Sequence, residues 1–167
     1  MVRGGEPPQP KWTYRELGTL PQVLDIVWCR FPYNFDRLRP GQKARPVLVR
    51  QRLIDIGTRR GALQVAYGTR NLKPEQRVLD LILMESRTLD DLGLKEATRF
   101  DLDHMVTLPW CREFFGAPAG LPLVIGSLRT SAAAMTQLAR LKHLRDQLDS
   151  VRRTAGRDQT DDEDAPP

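Results

Sequence analysis

The sequence is poor in the residues that build disulfide frameworks and metal centres. It has only two cysteines, Cys29 and Cys111, which are far apart and form no Cys-x-x-Cys motif, and only two histidines, His104 and His143. A disulfide framework or a structural zinc site needs more ligands at regular spacing. We therefore expect no metal and no cofactor, and we expect each cysteine to be a small core residue.

Other signatures of function and location are also missing. The sequence has no Gly-rich phosphate loop, no nucleophile elbow and no cluster with metal-ligand spacing. No apolar run approaches the roughly 20 residues that span a bilayer. Residues 1–12 lack the apolar centre of a signal peptide. We expect a cytoplasmic protein with no membrane partner.

What is present is positive charge. The chain has 167 residues, which suits one domain, and a formal net charge of +5. Residues 158–167 hold five of the 21 acidic residues and no basic one, which leaves 26 basic against 16 acidic residues, or +10, over residues 1–157. A basic body with an acidic tail is typical of a surface for nucleic acid or an acidic partner. A basic protein with a solvating tail would have the same composition.

Residues 24–50 are predicted to form a strand, a long polar loop and a second strand. The first strand, 24–31, is crowded with β-branched and aromatic residues, and Pro32 ends it. Pro46 opens the second strand, at a position where a missing N–H is tolerated. The loop carries one acid, Asp36, and four basic residues, namely Arg37, Arg39, Lys43 and Arg45. Two strands would thus present a cationic loop to a polyanion.

Hydrophobic patterning predicts the remaining elements. Residues 11–20 form a short helix or an irregular segment, 88–95 a polar connection, and further strands lie at 62–67, 77–84, 99–103 and 105–110. A helix from about Ser127 or Ser131 to about Arg153 follows, because Leu138, Leu141, Leu144, Leu148 and Val151 share one helix face. We expect a partly disordered N-terminal extension at 1–23, one domain at 24–154 and a disordered acidic tail at 155–167.

The order of motifs in residues 24–50 resembles the PemK/MazF-like toxins, a family of small bacterial endoribonucleases. Asp25-Ile26-Val27-Trp28, the basic loop, and Arg45-Pro46 before a Val-rich strand carry the resemblance, and Leu24 stands where glycine is usual. It extends over about residues 24–150. It implies a mainly β, small SH3-like barrel (CcdB/PemK-like) with a long C-terminal helix. It also implies a homodimer that cuts single-stranded RNA without a metal and is silenced by a small acidic antitoxin.

The resemblance also implies a set of catalytic residues: Arg45, Thr69, Arg99 and Asp101. Arg99 and Asp101 share one face of a strand, and similar Arg-x-Asp pairs in the family have acid–base and phosphate-stabilising roles. The Thr69 hydroxyl suits a phosphate oxygen, and Arg45 suits bidentate phosphate binding. The RNA-binding residues would be Arg37, Arg39, Lys43 and Arg70. The alternatives are a turn threonine, a surface ion pair and a solvated arginine.

The predicted loop departs from the family pattern in one respect. Family members often carry an acidic residue or a His-Glu pair five to six residues before the Arg of Arg-Pro, where this chain has Arg39 and Pro40. This departure favours a second possibility, a non-catalytic RNA- or protein-binding module on the same fold. A gyrase-inhibiting toxin is a third, although nothing in 150–156 supports it. His104 lies near the predicted site, but a single histidine is more often structural than catalytic.

Overall fold

The computed structural model of the chain describes residues 11–32, 39–72 and 79–158. Within these ranges it contains the strands β1 (Asp25–Cys29), β2 (Arg45–Asp55), β3 (Arg60–Thr69), β4 (Leu81–Leu83), β5 (Thr98–Pro109) and β6 (Val124–Ser127). The helices are α1 (Ser86–Leu92) and α2 (Ala132–Asp158), with 3₁₀ turns at Leu17–Thr19 and Leu128–Thr130. The strands form one antiparallel sheet in the order β4-β5-β3-β2-β1-β6.

Alternation along the strands gives the sheet two buried faces. Along β1, β2 and β3, odd-numbered residues such as Val27, Val47 and Val65 belong to one cluster, which we call core 1. Even-numbered residues such as Ile26 and Leu48 belong to a second cluster, which we call core 2. Side chains alternate with period two along a strand, so each strand in the middle of the sheet contributes to both cores.

Different parts of the chain cover the two cores. Core 1 lies under residues 110–115 and the N-terminal segment, where Leu20 is buried and Tyr14 pairs with Cys111 as an isolated bridge. Core 2 lies under α1 and the first half of α2, which contributes Ala134, Met135, Leu138 and Leu141. Both cysteines are buried in core 1, as predicted. The prediction of a mainly β, barrel-like small fold with a long C-terminal helix is confirmed.

Helix α1 joins the two ends of the curled sheet. It follows the edge strand β4 and contacts the opposite edge strand β6. Gly93 ends the helix with φ of 70°, in the left-handed region that glycine adopts without steric cost. A Cβ at Gly93 would crowd the carbonyl oxygen of Ile125, and one at Gly126 would overlap that of Leu92. Glycine at both positions therefore allows α1 and β6 to pack backbone against backbone.

Three elements differ from the sequence prediction. Residues 88–95, predicted as a polar connection, contain most of α1, because Leu89 and Leu92 pack into core 2. Strand β6 was not predicted, since its pairing with β1 is long-range. The two predicted strands at 99–103 and 105–110 are one strand, β5, with a bulge between the Asp101–Tyr67 and Met105–Ala66 pairs.

The second half of α2 extends away from the sheet. The helix ends at Asp158, five residues beyond the predicted end, and all side chains from 146 to 156 are exposed. Arg145, just before this stretch, pairs with Asp103 at 2.8 Å. No helix in the described ranges is long and apolar enough to cross a membrane.

Candidate active site

Three of the predicted catalytic residues lie in one row across the sheet. Thr69 of β3 is the cross-strand partner of Arg99 of β5. Val47 is the partner of Tyr67, and continuing this register by two residues brings Arg45 of β2 opposite Thr69. Side chains at directly opposed positions point to the same face, with Cβ atoms about 5 Å apart. We call these residues the Arg45–Thr69–Arg99 row.

Asp101, the fourth predicted residue, lies next to this row. It is two residues beyond Arg99 on β5, which keeps it on the same face, and its cross-strand partner is Tyr67. The pairing of β2, β3 and β5 thus places Arg45, Thr69 and Arg99 side by side, with Asp101 at the next same-face position along β5. Local strand periodicity predicted the relation of Arg99 to Asp101, whereas the relation of Arg45 to Thr69 depends on strand pairing.

A cleft of about 390 Å³ opens at the same end of the strands. Arg45 and Thr69 of the row line it, whereas Arg99 and Asp101 are not among its lining residues. Apolar residues in its lining include Trp28, Pro46, Leu94, Leu121, Pro122 and Ile125. Its charged lining residues are Lys43, Arg45, Arg70 and Lys95, against one acid, Glu96. The cleft thus combines an aromatic ring with excess positive charge, which attracts a phosphodiester and favours base stacking.

The predicted RNA-binding residues have different positions relative to the cleft. Lys43 and Arg70 line it, and Arg70 also forms an exposed ion pair with Glu96 at 2.9 Å. Arg39 is exposed and is not in the lining. Arg37 lies outside the described residues. Lys95, which sequence reasoning did not select, adds a cation from the loop after α1.

Arg99 is held by groups other than Asp101. Its guanidinium donates to Oδ2 of Asp80 at 2.6 Å and to the carbonyl oxygen of Asn71 at 2.8 Å. The Asp80 side chain is fully buried, and that of Arg99 is 14% exposed. Leu81 is the cross-strand partner of Phe100, so the preceding residue, Asp80, lies opposite Asp101 at the edge of the sheet. The short chain between β3 and β4 thus supplies the acidic partner of Arg99.

Asp101 forms a compact hydrogen-bonded unit with His104. Its Oδ1 accepts the backbone N–H groups of Asp103 and His104 at 3.1 and 3.2 Å. Its Oδ2 is 2.7 Å from Nδ1 of the His104 ring. The carboxylate satisfies backbone donors that the β-bulge removes from the ladder, so it also stabilises the bulge. The spacing of Asp101 and His104 was visible in the sequence, but their contact depends on this bulge.

Three carboxylates meet beside the row. Oxygens of Asp80, Asp101 and Asp103 lie within 4.8 Å of one another. Each carboxylate has its own cationic or ring partner, respectively Arg99, His104 and Arg145. The two arginines offset part of the repulsion among the carboxylates, because opposite charges attract at these short distances.

Two residues at or next to the row carry a hydroxyl or a thiol, namely Thr69 and Cys29. Thr69 Oγ1 accepts the N–H of Asn71 at 3.1 Å, a local turn contact that leaves the hydroxyl hydrogen for a phosphate oxygen. Cys29 is the cross-strand partner of Arg45, but its side chain is fully buried. Burial raises the pKa of the Cys29 thiol well above its ordinary value, with a smaller effect from Cys111. The neutral thiol is a poor nucleophile.

Leu24 has an unusual backbone conformation at the start of β1. Its φ is 75°, in the left-handed region that glycine adopts most readily, and it stands where PemK/MazF-like toxins usually have glycine. No family model matches the chain, and no curated protein matches it. The resemblance to the PemK/MazF-like toxins therefore stays a prediction that depends on the residues quoted above.

Proposed function

We propose that this protein binds single-stranded RNA in the cleft and cleaves it without a metal ion. The observation that carries the proposal is the sharing of Arg45 and Thr69 between the cationic cleft and the Arg45–Thr69–Arg99 row. A strand held in the cleft would have a phosphate beside these two residues. Arg45 and Thr69 would then serve both in binding and in the reaction, and Arg99 follows Thr69 in the row.

Binding would use both components of the cleft. The half-buried ring of Trp28 offers a surface on which a base can stack, and stacking on an aromatic side chain is worth about 1–3 kcal/mol per base. Lys43, Arg70 and Lys95 supply charge for the backbone phosphates. A single strand suits this arrangement better than a duplex, because its bases are free to leave the stack.

Cleavage would follow attack by the neighbouring ribose. The 2′-oxygen forms a bond to phosphorus, the bond from phosphorus to the 5′-oxygen breaks, and the products carry a 2′,3′-cyclic phosphate and a 5′-hydroxyl. Arg45 and Arg99 would stabilise the negative charge that grows on the phosphate oxygens. Asp101 would accept the 2′-hydroxyl proton.

We also propose that the protein is the toxin of a toxin–antitoxin pair and acts as a homodimer. The excess of basic residues around the cleft suits the acidic segment of a small antitoxin as well as RNA. An antitoxin that occupied the cleft would exclude RNA by competition for the same cations.

Incubation of the purified protein with varied single-stranded RNAs in the presence of EDTA tests this function. We expect fragments with 2′,3′-cyclic phosphate and 5′-hydroxyl ends, and we expect resistance when the cleavage position carries 2′-deoxyribose. Binding of the same RNAs is measured in parallel by fluorescence anisotropy. Cleavage that requires a divalent ion, or that proceeds equally on the 2′-deoxy substrate, would contradict the mechanism.

One observation favours the second candidate, a non-catalytic RNA-binding module. Protein groups already hold Arg99 and Asp101, through Asp80 and His104 respectively. A purely structural role for these residues would account for both contacts. Salt-sensitive RNA binding without cleavage of any sequence would establish this alternative.

A further inference from the structure

We propose that the cleft selects guanine and that Glu96 is its specificity-determining residue. This inference rests on the proposed function, because it names the base that the bound single strand places in the cleft. It follows from three features of the cleft, namely its apolar lining, the carboxylate among its cations and the fixed backbone that carries this carboxylate.

The apolar part of the cleft lining is attached to the sheet. It includes the half-buried Trp28 of β1 together with Leu121, Pro122 and Ile125. The backbone N–H of Trp28 donates to the carbonyl oxygen of Leu123 at 3.1 Å, which holds the segment before β6 against β1. The cleft volume of about 390 Å³ lies within the range of small-molecule sites, about 300–1,000 Å³. The cleft therefore has room for one unstacked base.

A carboxylate stands among the cations of the cleft. Within the described lining the acidic residue is Glu96, and the basic residues are Lys43, Arg45, Arg70 and Lys95. A carboxylate repels the phosphates of RNA, so it opposes the non-specific binding that the cations favour. The same group accepts hydrogen bonds from the edge of a base, which makes binding selective. We therefore assign Glu96 to the base and not to the backbone.

The backbone around Glu96 is fixed by contacts on both sides of this residue. On the N-terminal side, Gly93 packs so closely against the carbonyl oxygen of Ile125 that a Cβ atom would lie 2.6 Å from it. On the C-terminal side, the hydroxyl of the buried Thr98 donates to the backbone carbonyl oxygen of Glu96 at 2.9 Å. A hydrogen-bonding group on fixed backbone discriminates better between ligands, because less freedom is lost on binding.

The ion pair between Arg70 and Glu96 opens at low cost. Nη1 of Arg70 is 2.9 Å from Oε2 and 3.3 Å from Oε1 of Glu96, so it occupies the side of the carboxylate on which both oxygens accept together. The side chains of Arg70 and Glu96 are 73% and 56% exposed. An exposed pair of this kind contributes little, because water and salt screen it. When RNA binds, Arg70 turns to a phosphate and both oxygens of Glu96 face the base.

Guanine has the base edge that fits a carboxylate best. Its Watson–Crick edge places two donors, N1–H and N2–H, side by side, and these match the two oxygens of Glu96. Adenine and cytosine place a ring-nitrogen acceptor next to their amino group, and uracil places its N3–H between two carbonyl oxygens. Each of those acceptors would face a carboxylate oxygen and repel it. The carboxylate therefore distinguishes guanine from the other bases.

The test measures binding of short labelled oligonucleotides by fluorescence anisotropy, in EDTA. Each strand carries 2′-deoxyribose throughout, so that binding is measured without cleavage, and the strands differ only in one central base. We expect the guanine strand to bind about 5- to 150-fold more tightly than the adenine, cytosine and uracil strands, which is the discrimination of one bidentate base contact. A strand with hypoxanthine, which lacks the N2 amino group, should bind less tightly than the guanine strand.

Three variants separate base selection from charge. Glu96→Gln should lose most of the guanine preference, because the amide keeps one acceptor and turns a donor toward the second guanine N–H. Glu16→Gln removes the same charge from an exposed position outside the cleft lining, and its guanine preference should be unchanged. Arg70→Ala should weaken the binding of all strands by a similar factor and keep the preference, because it removes a phosphate contact.

Two outcomes would overturn the inference. The first is equal binding of all the strands by the wild-type protein, and the second is a guanine preference that Glu96→Gln retains. Both are independent of cleavage, which is measured separately with RNA in EDTA. A guanine preference that Glu96→Gln removes would support the inference even where no RNA is cut, since the second candidate function also needs a site for a base.

Discussion

Arg99 and Asp80 form a buried ion pair at the edge of the sheet, with 2.6 Å between Nη1 and Oδ2. The pair links β5 to the residue that precedes β4, the edge strand. It also fixes the guanidinium at the end of the Arg45–Thr69–Arg99 row. Stability and the geometry of the candidate site therefore depend on the same contact.

Asp80→Asn should destabilise the protein by about 3 kcal/mol, because removing one partner of a buried pair leaves an uncompensated charge. Urea unfolding measures the change. Glu96→Gln is the matched control, since the Arg70–Glu96 pair has side chains that are 73% and 56% exposed, and it should cost less than about 1 kcal/mol. Equal losses of stability in the two variants would contradict this prediction. They would show that repulsion of Asp80 by Asp101 and Asp103 cancels the stabilisation from the Arg99–Asp80 pair.

RNA binding should weaken steeply with salt if the cleft and its loop contact the backbone. For a single strand, the slope of log affinity against log salt is about −0.7 per phosphate neutralised, so Arg39→Ala with Lys43→Ala should reduce its magnitude by about 0.7 to 1.4. Arg152→Ala with Arg153→Ala, on the exposed half of α2, is the charge-matched control and should leave the slope unchanged. A slope that changes only in the Arg152 and Arg153 variant would show that the RNA binds to α2 and not to the cleft and its loop.

At Leu24, a glycine variant should be more stable than an alanine variant, which is the reverse of the usual order. Its φ of 75° costs an L-residue roughly 1–2 kcal/mol, so Leu24→Gly should be more stable than Leu24→Ala by about 1 kcal/mol. At Leu53, in the extended strand β2, glycine should instead be less stable than alanine by about 0.5–1 kcal/mol. Thermal or urea unfolding of the four variants measures both orders. The same order at both positions would contradict the left-handed conformation of Leu24.

The two halves of α2 should differ in their contribution to stability. Leu138→Ala should cost about 2 kcal/mol, because this side chain packs on core 2. Leu148→Ala should cost less than about 0.5 kcal/mol, because that side chain is on the exposed half of the same helix. Urea unfolding at two protein concentrations is the measurement. A large and concentration-dependent effect of Leu148→Ala would indicate that a second copy covers this face.

Both thiols should be unreactive in the folded protein. Burial raises the pKa of Cys111 to about 11 and that of Cys29 well above its ordinary value, so few thiolates exist at pH 8. The shifts also make stability fall as pH rises above about 9, where the unfolded thiols ionise and the folded ones do not. Reaction with a disulfide reagent at pH 8, with and without denaturant, tests the first statement. Fast labelling of the native protein would contradict it.

Strand periodicity was enough to predict much of the architecture. The alternation in residues 24–31 and 47–49 predicted β1 and β2, and the leucine spacing from Leu138 onward predicted α2. These features are local, because a hydrophobic period of 2 or of 3.6 residues can be recognised within one short segment of the sequence. The basic residues near Arg45 were equally visible, since charge is a property of composition.

The sequence by itself determined which residues are charged, which are apolar and which share a face of one element. Only the tertiary structure decided their partners. Arg99 pairs with Asp80, 19 residues earlier, and Asp101 meets His104 because β5 bulges at that point. Helix α1 and strand β6 likewise form because each has a distant surface to pack on or pair with. Local patterns specify elements, whereas contacts between distant segments depend on how the whole chain packs, and the candidate site is made of such contacts.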